Sequence, residues 1–149
     1  MSDHRFLSPE DMAPARGFSH GAIPAPGNTL YIAGQTGHRP DGTIAPGLVD
    51  QFAEACRSVV RVIAEGGGSP TDLVSMTIYI TDIQGYRDHL GPIGAAYREV
   101  FGKHYPPMAL IGVSELFDSG ARVELVGVAV IPEGSRAADE MLEQEETRP

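Results

Sequence analysis

The chain has 149 residues, 42% hydrophobic and 21% charged, a balance that suits one globular domain and excludes wholesale disorder. A net charge of −9 with only 11 scattered Lys and Arg argues against a nucleic-acid partner, which needs a basic face to displace phosphate counterions. The single cysteine, Cys56, excludes an internal disulfide framework and a cysteine-rich zinc site, and no apolar run approaches the roughly 20 residues of a membrane span.

Met1-Ser2-Asp3-His4-Arg5 lacks the apolar stretch of a signal peptide, so a cytoplasmic protein is the expectation. Residues 1–15 are polar and interrupted by proline, which reads as an extended arm before a domain spanning 16–132. Thr29–Ala33 is a short β-prone run ending at Gly34-Gln35-Thr36-Gly37, and residues 38–47 are rich in turn formers. From Asp50 to Glu65, Phe52, Ala55, Cys56, Val59, Val60, Val62 and Ile63 recur at three- and four-residue steps, the stripe of an amphipathic helix. Gly66-Gly67-Gly68 stops that helix.

Residues 69–72 form a turn, and 73–80 alternate Val74, Met76, Ile78 and Ile80 at strand period. Asp82 stands where an N-cap or turn residue belongs. A second helix is expected over Tyr86–Phe101, irregular at first because of Gly91-Pro92. Pro106-Pro107 breaks the chain before a strand over Met108–Val113. Asp118-Ser119-Gly120 is a turn, and Arg122–Ile131 is the last strand.

The expected order is strand, strand, helix, strand, helix, strand, strand, an α+β fold with one mixed sheet and two helices on one face. Val123, Leu125, Gly127 and Ala129 point one way along the last strand, while Val126, Val128 and Val130 point the other. A strand apolar on both faces is buried on both faces. With two helices covering one side, a second copy of the chain is the simplest cover for the other. Residues 133–149 hold six acids against Arg136 and Arg148, a net −4, and read as an acidic disordered tail.

Familiar catalytic signatures are missing. No phosphate-binding loop, dinucleotide fingerprint, HExxH or GxSxG motif occurs, and the five histidines lack metal-ligand spacing. Cys56 lies in the apolar stripe and reads as a buried, inert thiol. Two features invite a functional reading. Ala33-Gly34-Gln35-Thr36-Gly37 places two glycines at a strand end, where a tight turn or a close backbone approach explains them. Glu124 interrupts the most apolar strand, either as an exposed pair with Arg122 or as a half-buried carboxylate in a cleft, placed for proton transfer.

The sequence resembles the Rid family (RidA/YjgF, also called L-PSP endoribonucleases) from about Gly17 to Pro132. The resemblance rests on Phe18-Ser19-His20-Gly21, Leu30–Gly37, Asp72-Leu73-Val74, Thr77–Asp82, Ala96-Tyr97, Val100-Phe101, Tyr105-Pro106-Pro107 and Ala121–Val130, in that order and spacing. It implies a chorismate-mutase-like fold and a homotrimer around a central barrel, with clefts between subunits. It also implies hydrolysis of enamines and imines, without metal or organic cofactor. An arginine holds the substrate carboxylate in that family.

Position by position, the polar pocket is depleted. Met108 stands at the arginine position and Leu110 at a frequent cysteine. Phe18 replaces a tyrosine, Ala33 a serine and Gly94 an asparagine. Gly34-Gln35 and Glu124 remain, with His20 and Arg122 as candidate local partners of Glu124. The expectation is an apolar intersubunit cleft that takes a small, relatively apolar, neutral molecule, with Glu124 as acid/base. A non-catalytic protein that binds a small metabolite in the same cleft is the alternative.

Overall fold

The computed structural model describes residues 3–134; the tail from residue 135 onward lies outside the described residues. In chain order the elements are β1 (Arg5–Leu7), β2 (Gly21–Ile23), β3 (Gly27–Gln35), α1 (Gly47–Glu65), β4 (Leu73–Ile80), α2 (Ile83–Asp88), α3 (Leu90–Phe101), β5 (Met108–Gly112) and β6 (Val123–Pro132). A 3₁₀ turn over Pro70–Asp72 leads into β4. The main sheet has strand order β3-β6-β4-β5; β4 and β5 are parallel and the other neighbours antiparallel. β1 and β2 pair antiparallel in a separate two-stranded ribbon.

The helix stripe is the core. Phe52, Ala55, Cys56, Val59 and Ile63 of α1 are at most 1% exposed, and they pack with Ile93, Tyr97 and Phe101 of α3. Met76, Ile78 and Ile80 of β4 and Val123, Leu125 and Ala129 of β6 supply the sheet side. Burial pushes the Cys56 thiol up to about 12, so it stays protonated. The glycine stop takes Schellman form: Gly67 sits at φ +86°, its N–H donates to the Ala64 carbonyl, and the Gly68 N–H donates to Ile63. On α1, Glu54 is buried and accepts from both Arg57 and Arg61.

Three expectations change. The second helix is two helices, so the sheet carries three, because Pro92 fits a helix only in its first turn. The chain therefore breaks at His89 and restarts at Leu90. Asp82 caps the piece before the break, its carboxylate accepting from the Gly85 N–H at 2.8 Å. Helix α1 begins three residues earlier than expected, at Gly47, because Leu48 already buries its side chain. Thirdly, the stretch expected as an arm is partly built into the fold. β1 lies in it, and the His4 side chain is fully enclosed. His4 Nδ1 accepts from the Ala25 N–H at 2.9 Å, which leaves Nε2 to donate to the Val130 carbonyl at 2.8 Å. The contact with Asp72 at 3.3 Å completes its surroundings.

The last strand has the expected inward set, but its second face is open on the single chain. Glu124 and Val128 are half-buried and Val126 is exposed. Tyr31 on β3 and Ile111 on β5 share that uncovered face, the tyrosine at 80% exposure. Among the described residues no helix is long and apolar enough to cross a membrane.

Candidate functional site

The residues expected to share one cleft separate into two groups. Phe18, Gly94, Met108 and Leu110 line a cavity of about 660 Å³ on the helix side of edge strand β5. Its position follows from the register. Met108 pairs with Met76, and Leu110 with Ile78, so both project with the buried β4 residues toward the helices. The wall opposite is α2 and α3, through Tyr86, Leu90, Ile93 and Tyr97. Arg16, Gly17 and Phe18 complete the lining, and the chain there is held because Ser19 donates to the Pro106 and Tyr105 carbonyls, at 3.3 Å from its N–H and 2.6 Å from its hydroxyl.

Aromatic rings dominate this cavity. Tyr97 stacks on Tyr105 with centroids 5.4 Å apart, and its hydroxyl donates to the His104 carbonyl at 2.6 Å. Phe52 meets Tyr86 edge to face. Burial raises the pKa of both Tyr86 and Tyr97. Their phenols therefore stay neutral near pH 7 and add no anion to the cavity.

Ala33, Gly34, Gln35 and Glu124 lie elsewhere. The register of β3 against β6 slips between Ile32 and Gln35, a bulge that contains Ala33 and Gly34. Gln35 curls back to donate to the Ala33 carbonyl at 2.9 Å. Glu124 pairs with Tyr79 across β4 and projects from the uncovered face, opposite to Val123 and Leu125. Its carboxylate lies directly over Gly34, where a Cβ would run into Oε1. Gly34 is thus explained by a close approach of Glu124. The Glu124 carboxylate makes no hydrogen bond or ion pair with any described residue. Arg122 lies in a different concavity with residues 114–121, and His20 contacts Phe18 and the Ala13 carbonyl, so neither partners Glu124.

Within one chain the two groups do not meet. β3 and β5 are opposite edges of the sheet, three strand spacings or about 14 Å apart. The carboxylate and the cavity also lie on opposite faces. Two guanidinium side chains, Arg16 and Arg98, join the apolar walls in lining the cavity. Arg98 was legible as a neighbour of Gly94, four residues earlier on the same helix face, but its direction was not. Among the described residues no three His, Cys, Asp or Glu side chains gather at metal-binding range.

The endoribonuclease L-PSP family model matches residues 9–131. The chain is similar to the 2-iminobutanoate/2-iminopropanoate deaminase of Capra hircus, at 29% identity over 104 residues, 68% of this chain and 72% of that protein. It is 32% identical over 102 residues to a RutC family protein of Aquifex aeolicus, which covers 68% of this chain and 79% of that protein. Among solved structures, YyfB of Yersinia pestis, from the conserved Rid protein family, matches with TM-score 0.78 at 26% identity, over 87% of this chain and 99% of that one.

Proposed function

The chain belongs to the Rid (YjgF) family, and from that premise we propose that it is a hydrolytic deaminase of imines or enamines, with Glu124 as its acid/base. The observation that carries this reading is the uncommitted, half-buried Glu124 carboxylate, kept clear by Gly34. A side chain that could have been paired or replaced by an apolar residue is instead left available. In the reaction, water adds its oxygen to the carbon of the C=N bond while Glu124 accepts a proton. That proton passes to nitrogen to give a carbinolamine, and Glu124 then carries the hydroxyl proton to nitrogen as the C–N bond breaks, so that a ketone and ammonia leave; an enamine first tautomerises to the imine, gaining a proton at its β-carbon and losing one from nitrogen. No organic cofactor enters this scheme.

The site is completed between subunits of a homotrimer. The uncovered face holding Tyr31, Val126 and Ile111 is the face that packs against the other copies, so Glu124, which projects from it, is brought to the β5-edge cavity of a neighbouring copy. The opposite placement of the two groups supports this arrangement, since only another copy can join them. The relative named as a 2-iminobutanoate/2-iminopropanoate deaminase supports the reaction class. The apolar walls of the cavity favour a substrate with a branched or ring-bearing body over the smallest enamine, 2-aminoacrylate. A cytoplasmic setting fits such a substrate.

The test follows ammonia and oxo-acid release from 2-aminoacrylate and from branched 2-imino acids generated in situ. Turnover is expected with the branched compounds, against the neutral molecule expected from the sequence, because Arg16 and Arg98 line the cavity, and Glu124→Gln should lower it by about 10²-fold or more. Unchanged turnover in Glu124→Gln refutes the role of Glu124. Ligand-induced thermal stabilisation without any product refutes catalysis and leaves a binding protein. Sedimentation equilibrium giving one chain per particle refutes the shared site.

A further inference from the structure

We infer that Thr36, His38 and Asp118 form a second reactive site, an acyl-transfer triad that hydrolyses small carboxylic esters through an acyl-threonine. The site shares no residue with the one proposed above for deamination. Three observations bear on it. First, the three side chains are in unbroken contact. Thr36 Oγ1 lies 2.6 Å from His38 Nδ1, and His38 Nε2 lies 3.1 Å from Asp118 Oδ2. A carboxylate can only accept, so Nε2 carries its proton toward Asp118, and in the neutral ring Nδ1 presents its lone pair to the Thr36 hydroxyl. Hydroxyl, imidazole and carboxylate in that order are the parts of an activated nucleophile: a base within reach of the hydroxyl, and an acid that orients the base.

Second, both halves of the triad are fixed from behind. Asp118 Oδ1 accepts from the Gly120 N–H at 2.8 Å, which leaves Oδ2 for His38. Between Thr36 and His38, Gly37 presses on α1: a Cβ there would stand 2.6 Å from Gln51 Cβ and 2.7 Å from its Cα. The Gly37 carbonyl accepts from the Ala45 N–H at 2.8 Å. Gln51 is buried, and its side-chain amide donates to the Gly120 carbonyl at 3.0 Å and accepts from the Arg122 N–H at 2.8 Å. One glutamine thus braces both the segment with Thr36 and His38 and the loop with Asp118. Deamination gives Thr36 and Gly37, the last two residues of the strand-end motif, no role of their own.

Third, a substrate can reach these groups. Thr36 and His38 are half-buried and Asp118 is exposed. Asp118 also lines a concavity of about 610 Å³ with Ser114, Leu116 and Phe117, room for a small ester beside the triad. In the first step Thr36 Oγ1 bonds to the carbonyl carbon of the ester as its proton passes to His38 Nδ1. The bond from that carbon to the alcohol oxygen then breaks, and the alcohol leaves with the proton from Nδ1. In the second step water bonds to the acyl carbon and gives a proton to Nδ1; the bond to Oγ1 breaks, and Oγ1 recovers that proton. Ester and water become acid and alcohol, with no other reactant.

The probe is para-nitrophenyl acetate, used on the full-length protein. Nitrophenol release is followed by absorbance, and acid-quenched protein is digested and mapped by mass spectrometry. The wild type should turn the ester over and carry an acetyl group on Thr36. Thr36→Val should remove that label and lower the rate by about 10²-fold, and His38→Gln should lower it as much. Thr36→Ser keeps the hydroxyl and should keep both label and turnover. Asp118 acts through His38 as a positioning residue, so Asp118→Asn should lower kcat with KM unchanged. The loss should be only about fivefold, because the pair is solvent-exposed. Urea unfolding checks that each variant is folded.

Full turnover in Thr36→Val or His38→Gln, acetylation only at residues other than Thr36, or hydrolysis no faster than with an equal concentration of free imidazole overturns the triad. Glu124→Gln separates the two proposals. If ester hydrolysis falls in Thr36→Val and ammonia release falls in Glu124→Gln, both stand. If ester hydrolysis falls in Thr36→Val while Glu124→Gln releases ammonia at the full rate, the triad stands and the role of Glu124 falls. If ester hydrolysis falls in Glu124→Gln and survives in Thr36→Val, the ester is cleaved at the other site and the triad alone falls.

Discussion

Gly34→Ala separates the chemistry of the site from its stability. The new Cβ would run into Glu124 Oε1 and lie 2.7 Å from Cδ and 3.0 Å from Cγ. Carbon atoms in contact prefer about 3.5–4.0 Å, so the carboxylate must retreat by about 1 Å. The three nearest atoms all belong to the Glu124 side chain. It can rotate, at a cost of about 0.5–1.5 kcal/mol for an off-rotamer torsion. Replacing glycine within a strand offsets about 0.5–1 kcal/mol of that. Net stability should therefore change by less than about 1 kcal/mol, whereas a proton-transfer group displaced by about 1 Å should cost about 10²-fold in rate. Gly27→Ala is the contrasting control. Its Cβ would strike the backbone of Ile131 and Pro132, so it should lower stability and leave the rate per folded molecule unchanged. Urea unfolding and steady-state ammonia release measure the two effects. A Gly34→Ala protein that is folded and within about threefold of wild-type rate refutes the placement of Glu124 as the reacting group.

Other outcomes follow from the same contacts. His4→Ala leaves the Ala25 N–H and the Val130 carbonyl without their partner in a closed space. It should lower the unfolding free energy by about 2–4 kcal/mol in urea titrations and reduce amide-exchange protection in β1 and β2. The Glu54 carboxyl titrates below its usual value of 4.5: burial pushes it up, but hydrogen bonds from Arg61 and Arg57 outweigh burial. A depressed folded-state value means the stabilisation is present above about pH 4.5 and fades as pH falls through that lower value. The stability gap between wild type and Glu54→Gln should therefore narrow on acidification, and a gap independent of pH contradicts the assignment. The Cys56 thiol, held protonated with a pKa pushed up to about 12, should react with iodoacetamide at pH 8 only as fast as the protein opens. Rapid labelling of the native protein contradicts its burial.

Elements with strong periodicity were legible from the chain itself. The stripe from Phe52 to Ile63, the alternation from Val74 to Ile80 and the glycines after Glu65 each encode local structure through side-chain spacing and backbone freedom. The split of the second helix was half legible, since Pro92 announced irregularity without saying where the chain restarts. The ribbon of β1 and β2 was not legible. Three-residue strands carry no usable period, and His4 is fixed by groups up to 126 residues away.

For the candidate site, sequence alone determined the residue types: a lone carboxylate in an apolar strand, and Phe18, Met108 and Leu110 where polar groups are usual in the family. Tertiary structure decided the grouping. Sheet order put Glu124 and Gly34 toward one edge and one face, and Met108 and Leu110 at the other edge on the other face. It also turned Arg98 over Gly94 into the cavity. Period and composition report which way a residue points relative to its own strand or helix. Which elements become neighbours depends on contacts between residues far apart in the chain, and these carry no local signature.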